Sequence, residues 1–361
     1  CPDHYRADDA LLKVAQWLEK RAEKKEAEEA DLHLALKYPD SPFRAQALYA
    51  AARLVPDNEN QQRHYYAVAT QAGLGDYYAH RALARLNEGR DPAKPATALL
   101  KVDGVQPLLQ AFPVLAADGE APDDAPDVAG PVFERLHFFG AHGLEEGEWE
   151  TVALCKRVRG AAEAGAWYRA AAEAGYAHTA LQFANHAGWG LEDGRPTRER
   201  RLLEFPRAYW PQVEAAAREA GVDPYLILAM MKQESTFRSW VRSSAGAAGL
   251  MQVMPGTARW LAKVEPAISS EHVADLNRPA NSLRLGAFYM LRMIARDNGN
   301  LIYALASYNA GPGNCRKWQG RFAGYDIDAF VEAIPYRETR GYVKKVLGNY
   351  AAYYSLYPAP Q

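Results

Sequence analysis

The sequence predicts an all-α protein in two parts, and three observations carry that prediction. Alanine is abundant while Val and Ile are sparse in the first half, and no stretch alternates apolar with polar residues as a half-buried strand does. Apolar residues instead recur at helical spacing between recognisable caps. A motif in the first half repeats at a distance that suits stacked helical pairs. The chain has 361 residues, 48% of them hydrophobic, which is enough for more than one core.

Taken in order, the repeated motif comes first. Tyr65-Tyr66-Ala67-Val68-Ala69-Thr70-Gln71-Ala72-Gly73 is echoed by Trp167-Tyr168-Arg169-Ala170-Ala171-Ala172-Glu173-Ala174-Gly175. Tyr66 and Tyr168 lie 102 positions apart, three repeats of the ~34-residue helix-turn-helix type. Small Ala side chains allow close helix packing, and Gly ends the first helix of each pair. The stretch from Trp167 to Ala184 resembles the Sel-like repeats, relatives of the tetratricopeptide family. Residues 1–204 are therefore expected to form a helical-repeat, solenoid-like region. The Asp-, Ala- and Pro-rich segment from Gly119 to Gly130 reads as an exposed loop, and Gly188 to Arg201 as a second break.

Beyond that break the helical signals sharpen. From Asp223 to Ser235 the chain reads as one helix, with Asp223 as N-cap and Pro224 at the first helical position. Ile227, Met230 and Met231 recur at helical spacing as a buried stripe, and the next position on it is Glu234. An ionised carboxylate facing a core is costly, so its pKa is expected to rise. A carboxyl kept protonated near neutral pH is what a general acid requires. From Ser235 to Val264 there is no further Asp or Glu, whereas Arg238, Arg242, Arg259 and Lys263 are cationic. The two-carboxylate design common among glycosidases is thus not visible locally, and a one-carboxylate site requires the substrate to supply the missing chemistry. Further on, the helical run Leu301 to Ala306 ends at Gly311-Pro312-Gly313, which places Tyr308 at its C-terminal edge.

Four blocks in a fixed order surround these features. They are Gln233-Glu234-Ser235; Gly246-Ala247-Ala248-Gly249-Leu250-Met251-Gln252 continuing to Met254-Pro255-Gly256-Thr257-Ala258; Ala306-Ser307-Tyr308-Asn309-Ala310-Gly311-Pro312-Gly313; and Ile334-Pro335-Tyr336-Arg337-Glu338-Thr339-Arg340-Gly341-Tyr342-Val343. With them, residues 205–361 resemble the catalytic domain of the soluble lytic transglycosylases, a family with a lysozyme-like fold that cuts peptidoglycan.

The resemblance implies that Glu234 protonates the glycosidic oxygen between N-acetylmuramic acid and N-acetylglucosamine. It then takes the proton from the C6 hydroxyl of the same muramyl residue, leaving a 1,6-anhydro end without consuming water. By the same resemblance Ser243, Gly249, Gln252, Met254, Tyr308, Asn309 and Glu338 bind substrate. Ser244 stands where the family often has Pro. No cofactor and no metal are expected, and His137 and His142 lack metal-ligand spacing. A goose-type-lysozyme-like hydrolase and a non-catalytic glycan-binding scaffold that recruits cell-wall enzymes remain the alternatives.

Charge and cysteines complete the reading. Residues 207–361 carry 18 Lys and Arg against 12 Asp and Glu, a net of +6, and the remainder a net of −8. A mildly basic C-terminal part suits an anionic polymer such as cell wall, and no nucleic-acid module is visible. The chain begins Cys1-Pro2-Asp3. That is read as the lipidated Cys of a bacterial lipoprotein, which implies the periplasm of a Gram-negative bacterium with a lipid anchor in the outer membrane. Cys155 and Cys315 are expected as free buried thiols, with an interdomain disulfide as the other option. The repeats are expected to recruit a protein partner such as a cell-wall synthase. Residues from about 207 to 361 alone are expected to retain the chemistry on short glycans.

Overall fold

A computed structural model describes residues 6–54, 73, 75–86, 131–141, 146–155, 157–158, 161–184, 191–192 and 195–358. Among these residues the regular elements are helices apart from one hairpin of two-residue strands, with isolated bridges linking Arg242, Ala248 and Val253. The chain falls into two compact units, residues 1–113 with 299–355, and residues 114–298 with 356–361.

The first unit opens with α1 (Ala7–Lys20), α2 (Lys24–Lys37), α3 (Arg44–Leu54) and α4 (Tyr77–Leu86). Neighbouring helices pack in sequence through small residues, with Ala27, Leu34, Ala47, Ala51 and Ala52 fully buried. Alanine at these positions costs no side-chain entropy and lets the axes approach. The unit also holds α15 (Leu301–Ala310), α16 (Pro312–Arg321), α17 (Ile327–Ala333) and most of α18 (Arg337–Leu356). Several contacts join the early helices to the late ones, including Arg53 with Asp326 and Tyr78 with Glu332. Asp328 of α17 is buried against Arg81 and Arg85 of α4. Gly348 of α18 sits so near the backbone before α4 that a Cβ there would lie 2.0 Å from the Gly75 carbonyl oxygen. The compact units therefore do not follow the sequence boundary at 204/205, because the ion-paired and close-packed faces of α17 and α18 are completed by helices from the start of the chain.

The second unit begins with α5 (Pro131–Ala141), α6 (Glu146–Cys155), α7 (Ala161–Glu173) and α8 (Ala177–Ala184). Leu136, Trp167, Tyr168, Tyr176, Ala171 and Ala180 form its first core. The pair α7–α8 is the helix-turn-helix expected from the second copy of the repeat motif. Its turn is made by Gly175 at φ +87°, a conformation that favours glycine. The first copy of the motif at Tyr65, the Gly119–Gly130 loop and Cys1 lie outside the described residues. His137 packs its ring on Phe133 with centroids 4.4 Å apart, while His142 lies outside the described residues.

Where the second break was expected, the chain forms a hairpin of β1 (Leu191–Glu192) and β2 (Arg195–Pro196), then α9 (Arg198–Glu204). Thr197 caps α9 by accepting from Arg200 N at 3.2 Å. The end of α9 is tied down by Tyr357, whose hydroxyl donates to Leu202 O and Phe205 O, and by the Lys232 ammonium, which donates to Glu204 O. Five helices follow: α10 (Trp210–Ala220), α11 (Pro224–Glu234), α12 (Pro255–Val264), α13 (Ser270–Ala274) and α14 (Pro279–Arg296). The long α14 packs against all four of the others. Among the described residues no helix is long and apolar enough to cross a membrane.

Candidate active site

Glu234 is the last residue of α11. The helix starts as its sequence dictates: Asp223 accepts from Tyr225 N at 2.8 Å, and Pro224 occupies the first turn. Residues 225–231 are all buried, so α11 is apolar on every side rather than along one stripe. Each large side chain among them contributes roughly 1.5–3 kcal/mol by burial. Glu234 is half-buried at the end of this core helix. Two residues before it, Lys232 lies 3.6 Å from the Phe205 ring centroid, and burial pushes its ammonium down to about 7.

The chain then reverses sharply. Ser235 N and Oγ both bond back to Met231 O at 3.1 Å, and Thr236 and Phe237 adopt φ values of +52° and +66°. Nothing in the residue types announced this conformation, since a β-branched residue is strained there.

The glycine-rich block forms a tight, cross-braced loop. Ser243 closes it by accepting from Ala247 N through Oγ at 3.0 Å and by donating its own N–H to Ala247 O at 2.9 Å. Gly249 has φ +78°, and a Cβ on it would meet Leu276 O at 2.0 Å and Ser282 Oγ at 2.6 Å, so both conformation and space demand glycine. Met251 donates its N–H to Ser282 Oγ at 3.1 Å and packs on Gly286, where a Cβ would lie 2.5 Å from that of Met251. Ser282 and Gly286 of α14 thus seat the loop. The spacing of these two small residues on one helix was their only sequence signal.

Gln252 itself has φ +46°, and its Nε2 donates to Val241 O and Gly249 O, both at 2.9 Å. Its amide nitrogen braces the loop, which leaves Oε1 as the atom it can offer a ligand. Met254 is exposed at the start of α12, followed by Pro255 at the first helical position.

The remaining candidates belong to the first unit. Tyr308 is buried near the end of α15, and Gly311-Pro312 is a joint leading directly into α16 rather than a loop. Asn309 Oδ1 accepts from Thr339 Oγ1 at 2.6 Å, which ties the third sequence block to the fourth. Glu338 is exposed on the first turn of α18. Cys315 is buried, and its Sγ donates to Tyr303 O at 3.4 Å. Among the described residues no group of three or more His, Cys, Asp or Glu could hold a metal ion.

Comparison with known proteins agrees with this layout. The family described as Transglycosylase SLT domain matches residues 211–331, and the one described as Soluble lytic transglycosylase helical domain matches residues 333–357. The soluble lytic murein transglycosylase of Salmonella typhimurium is 41% identical over 151 residues, which covers 42% of this chain and 23% of that protein. The chain thus spans about a quarter of the length of that curated relative. The lytic transglycosylase Slt of Pseudomonas aeruginosa, solved as an inactive Glu-to-Gln mutant, superposes with a TM-score of 0.65 at 26% identity over 98% of this chain and 52% of that one. The 70 kDa soluble lytic transglycosylase of Escherichia coli gives 0.57 at 24% identity over 96% and 62%, a likeness of fold. Residues 211–331 thus match the transglycosylase SLT domain family, and this part of the chain is similar to the soluble lytic murein transglycosylases.

Proposed function

We propose that the protein is a peptidoglycan lytic transglycosylase that cleaves the N-acetylmuramic acid–N-acetylglucosamine bond and leaves a 1,6-anhydro-N-acetylmuramic acid end. The observation that carries this is Glu234 at the end of the buried helix α11, followed in the chain by the braced loop 241–254, with no second acid in residues 235–264. In this reading the protonated Glu234 gives its proton to the glycosidic oxygen as the C1–O bond breaks. The resulting carboxylate then takes the C6 hydroxyl proton as that oxygen bonds to C1. Acid and base are one group, and intramolecular attack has an effective molarity of about 10⁵–10⁸ M, so no base for water is needed.

Ser243, Gly249, Gln252 and Met254 form the glycan cradle in this proposal: Gly249 by backbone approach, Gln252 through Oε1, Met254 by packing on a sugar face. Tyr308, Asn309 and Glu338 are assigned to substrate as well. Cys1 as a lipid anchor, a periplasmic location at the outer membrane, and recruitment of a cell-wall synthase by the repeats belong to the same proposal.

The test is mass spectrometry of products from purified peptidoglycan digested with the full chain in chelator and heavy-oxygen water. Anhydro ends without label are expected. Reducing ends carrying the label would instead make the protein a hydrolase of the goose-type-lysozyme kind, and absence of any cleavage would leave the scaffold reading.

A further inference from the structure

The second unit holds a cavity that the proposed chemistry does not use. It has a volume of about 410 Å³ and lies where α7 and α8 meet the segment between α9 and α10. Tyr168, Leu203, Pro206, Arg207, Tyr209 and Trp210 line it, together with small residues of the α7–α8 pair. A space of this size falls in the range of small-molecule sites, which are mostly apolar and carry a few polar groups that orient the ligand. Arg207 is the one charged residue of this lining.

Its guanidinium lies flat among aromatic rings and away from acids. Cζ is 3.6 Å from the centroid of the Trp210 ring and 5.6 Å from that of Tyr357. The side chain is half-buried, and its Nε is shielded from solvent without an acceptor. Among the described residues Arg207 pairs with no carboxylate and donates no hydrogen bond. The arginines just before it differ: Arg198 reaches Leu356 O at 3.4 Å, and Arg200 and Arg201 pair with Glu204 at 2.8 and 2.7 Å. Glu204, the acid nearest to Arg207 in sequence, is thereby taken. A ring beneath a guanidinium accommodates its face and leaves the in-plane N–H donors of its edge unspent. A cation that has lost part of its hydration and has no acid beside it favours an anion.

We propose that this cavity binds a small organic carboxylate. The edge of Arg207 takes the two carboxylate oxygens with parallel N–H donors, and the walls at Tyr168, Leu203, Pro206 and Tyr209 enclose an apolar body. A free aromatic acid and the C-terminal end of a short peptide share this chemistry. The proposal stands on the cavity and Arg207 and is independent of the lytic transglycosylase reading.

The experiment is calorimetric titration of the full chain with two acids and their neutral counterparts: benzoate and benzamide, then N-acetyl-alanyl-alanine and its C-terminal amide. Acetate serves as an anion without an apolar body. At least one acid is expected to bind with a Kd of about 1 mM or tighter, and about tenfold or more tighter than its amide and than acetate. The acid that binds identifies the source, a free aromatic acid or a peptide end. Arg207→Met should weaken that acid by about ten- to a hundredfold, and Arg207→Lys, which keeps the charge without the fork, by less. Ala172→Leu keeps Arg207 and narrows the cavity, and should weaken the same acid by about tenfold.

Acids that bind no better than their amides or acetate would overturn the proposal. So would an affinity that survives both Arg207→Met and Ala172→Leu, which would place the acid elsewhere on the chain. If Arg207→Met does not fold, Arg207→Lys and Ala172→Leu decide by the same titration, and unchanged affinity in both overturns it. Loss of anhydro-end release in the parent would remove the functional reading and leave this titration to judge the cavity.

Discussion

Arg81 Nε donates to Asp328 Oδ1 at 2.5 Å across 247 positions of sequence, with the two side chains only 3% and 2% exposed. Arg85 Nε reaches the other oxygen of the same carboxylate at 3.1 Å, and Arg53 pairs with the neighbouring Asp326 at 3.3 Å. Burial by itself would raise the Asp328 pKa. The charges and hydrogen bonds of Arg81 and then Arg85 outweigh it and hold the carboxyl well below the usual carboxylate range.

Asp328→Asn is expected to destabilise the fold by about 3–5 kcal/mol, because it leaves the buried Arg81 guanidinium and the half-buried one of Arg85 facing a neutral amide. The folded pKa is depressed, so the stabilisation is present above the ordinary carboxylate pKa and is lost as pH falls toward the folded value. The gap between parent and variant in urea unfolding should stay constant from neutral pH down to about pH 4 and shrink below it. A gap that does not respond to acid would show that the pair contributes by packing alone.

The same pair bears on the C-terminal part taken by itself. Residues 207–361 without the rest of the chain keep Asp328 but lose Arg81 and Arg85, and they expose the face of α18 that Gly348 presents to the Gly75 backbone. That piece is expected to unfold at lower temperature and to be cut faster by protease than the full chain, contrary to the independence that the sequence motifs alone lead one to expect. Melting at the temperature of the full chain would refute this.

Asp31 on α2 is buried with Oδ1 unpartnered, and burial followed by the Glu19 charge pushes its carboxyl up to about 8. A raised acid contributes its stability fully below the ordinary carboxylate pKa and loses it as pH rises through the folded value. Asp31→Asn should match the parent near pH 4 and exceed it above pH 8 by about 1–3 kcal/mol, the cost of an unsatisfied buried polar group. Thermal melts across that range check it; equal curves at high pH would mean that the carboxylate finds water.

Glu234→Gln is nearly isosteric and keeps the helix end intact, so the melting temperature should be unchanged. Loss of the proton donor should cut turnover by about 10²–10⁴-fold. Near-parental release of muropeptides by this variant would remove Glu234 from the chemistry.

Much of the protein was legible in its sequence. The cap of α11 at Asp223 and Pro224 and the glycine turn between α7 and α8 follow from interactions spanning a few residues, which leave a local pattern. Other features carry no such mark. Asp328 reads as an ordinary acid near a helix start until Arg81 meets it, and nothing in the sequence shows that the amide nitrogen of Gln252 bonds to Val241 O and Gly249 O. The left-handed Thr236 runs against its own preference and is imposed by its surroundings. Local hydrogen bonding and side-chain spacing thus determined the helices, the repeat pair and the candidate acid. Only the tertiary structure decided which distant charges neutralise each other and how the chain leaves Glu234, because those depend on packing between segments that no short-range periodicity encodes.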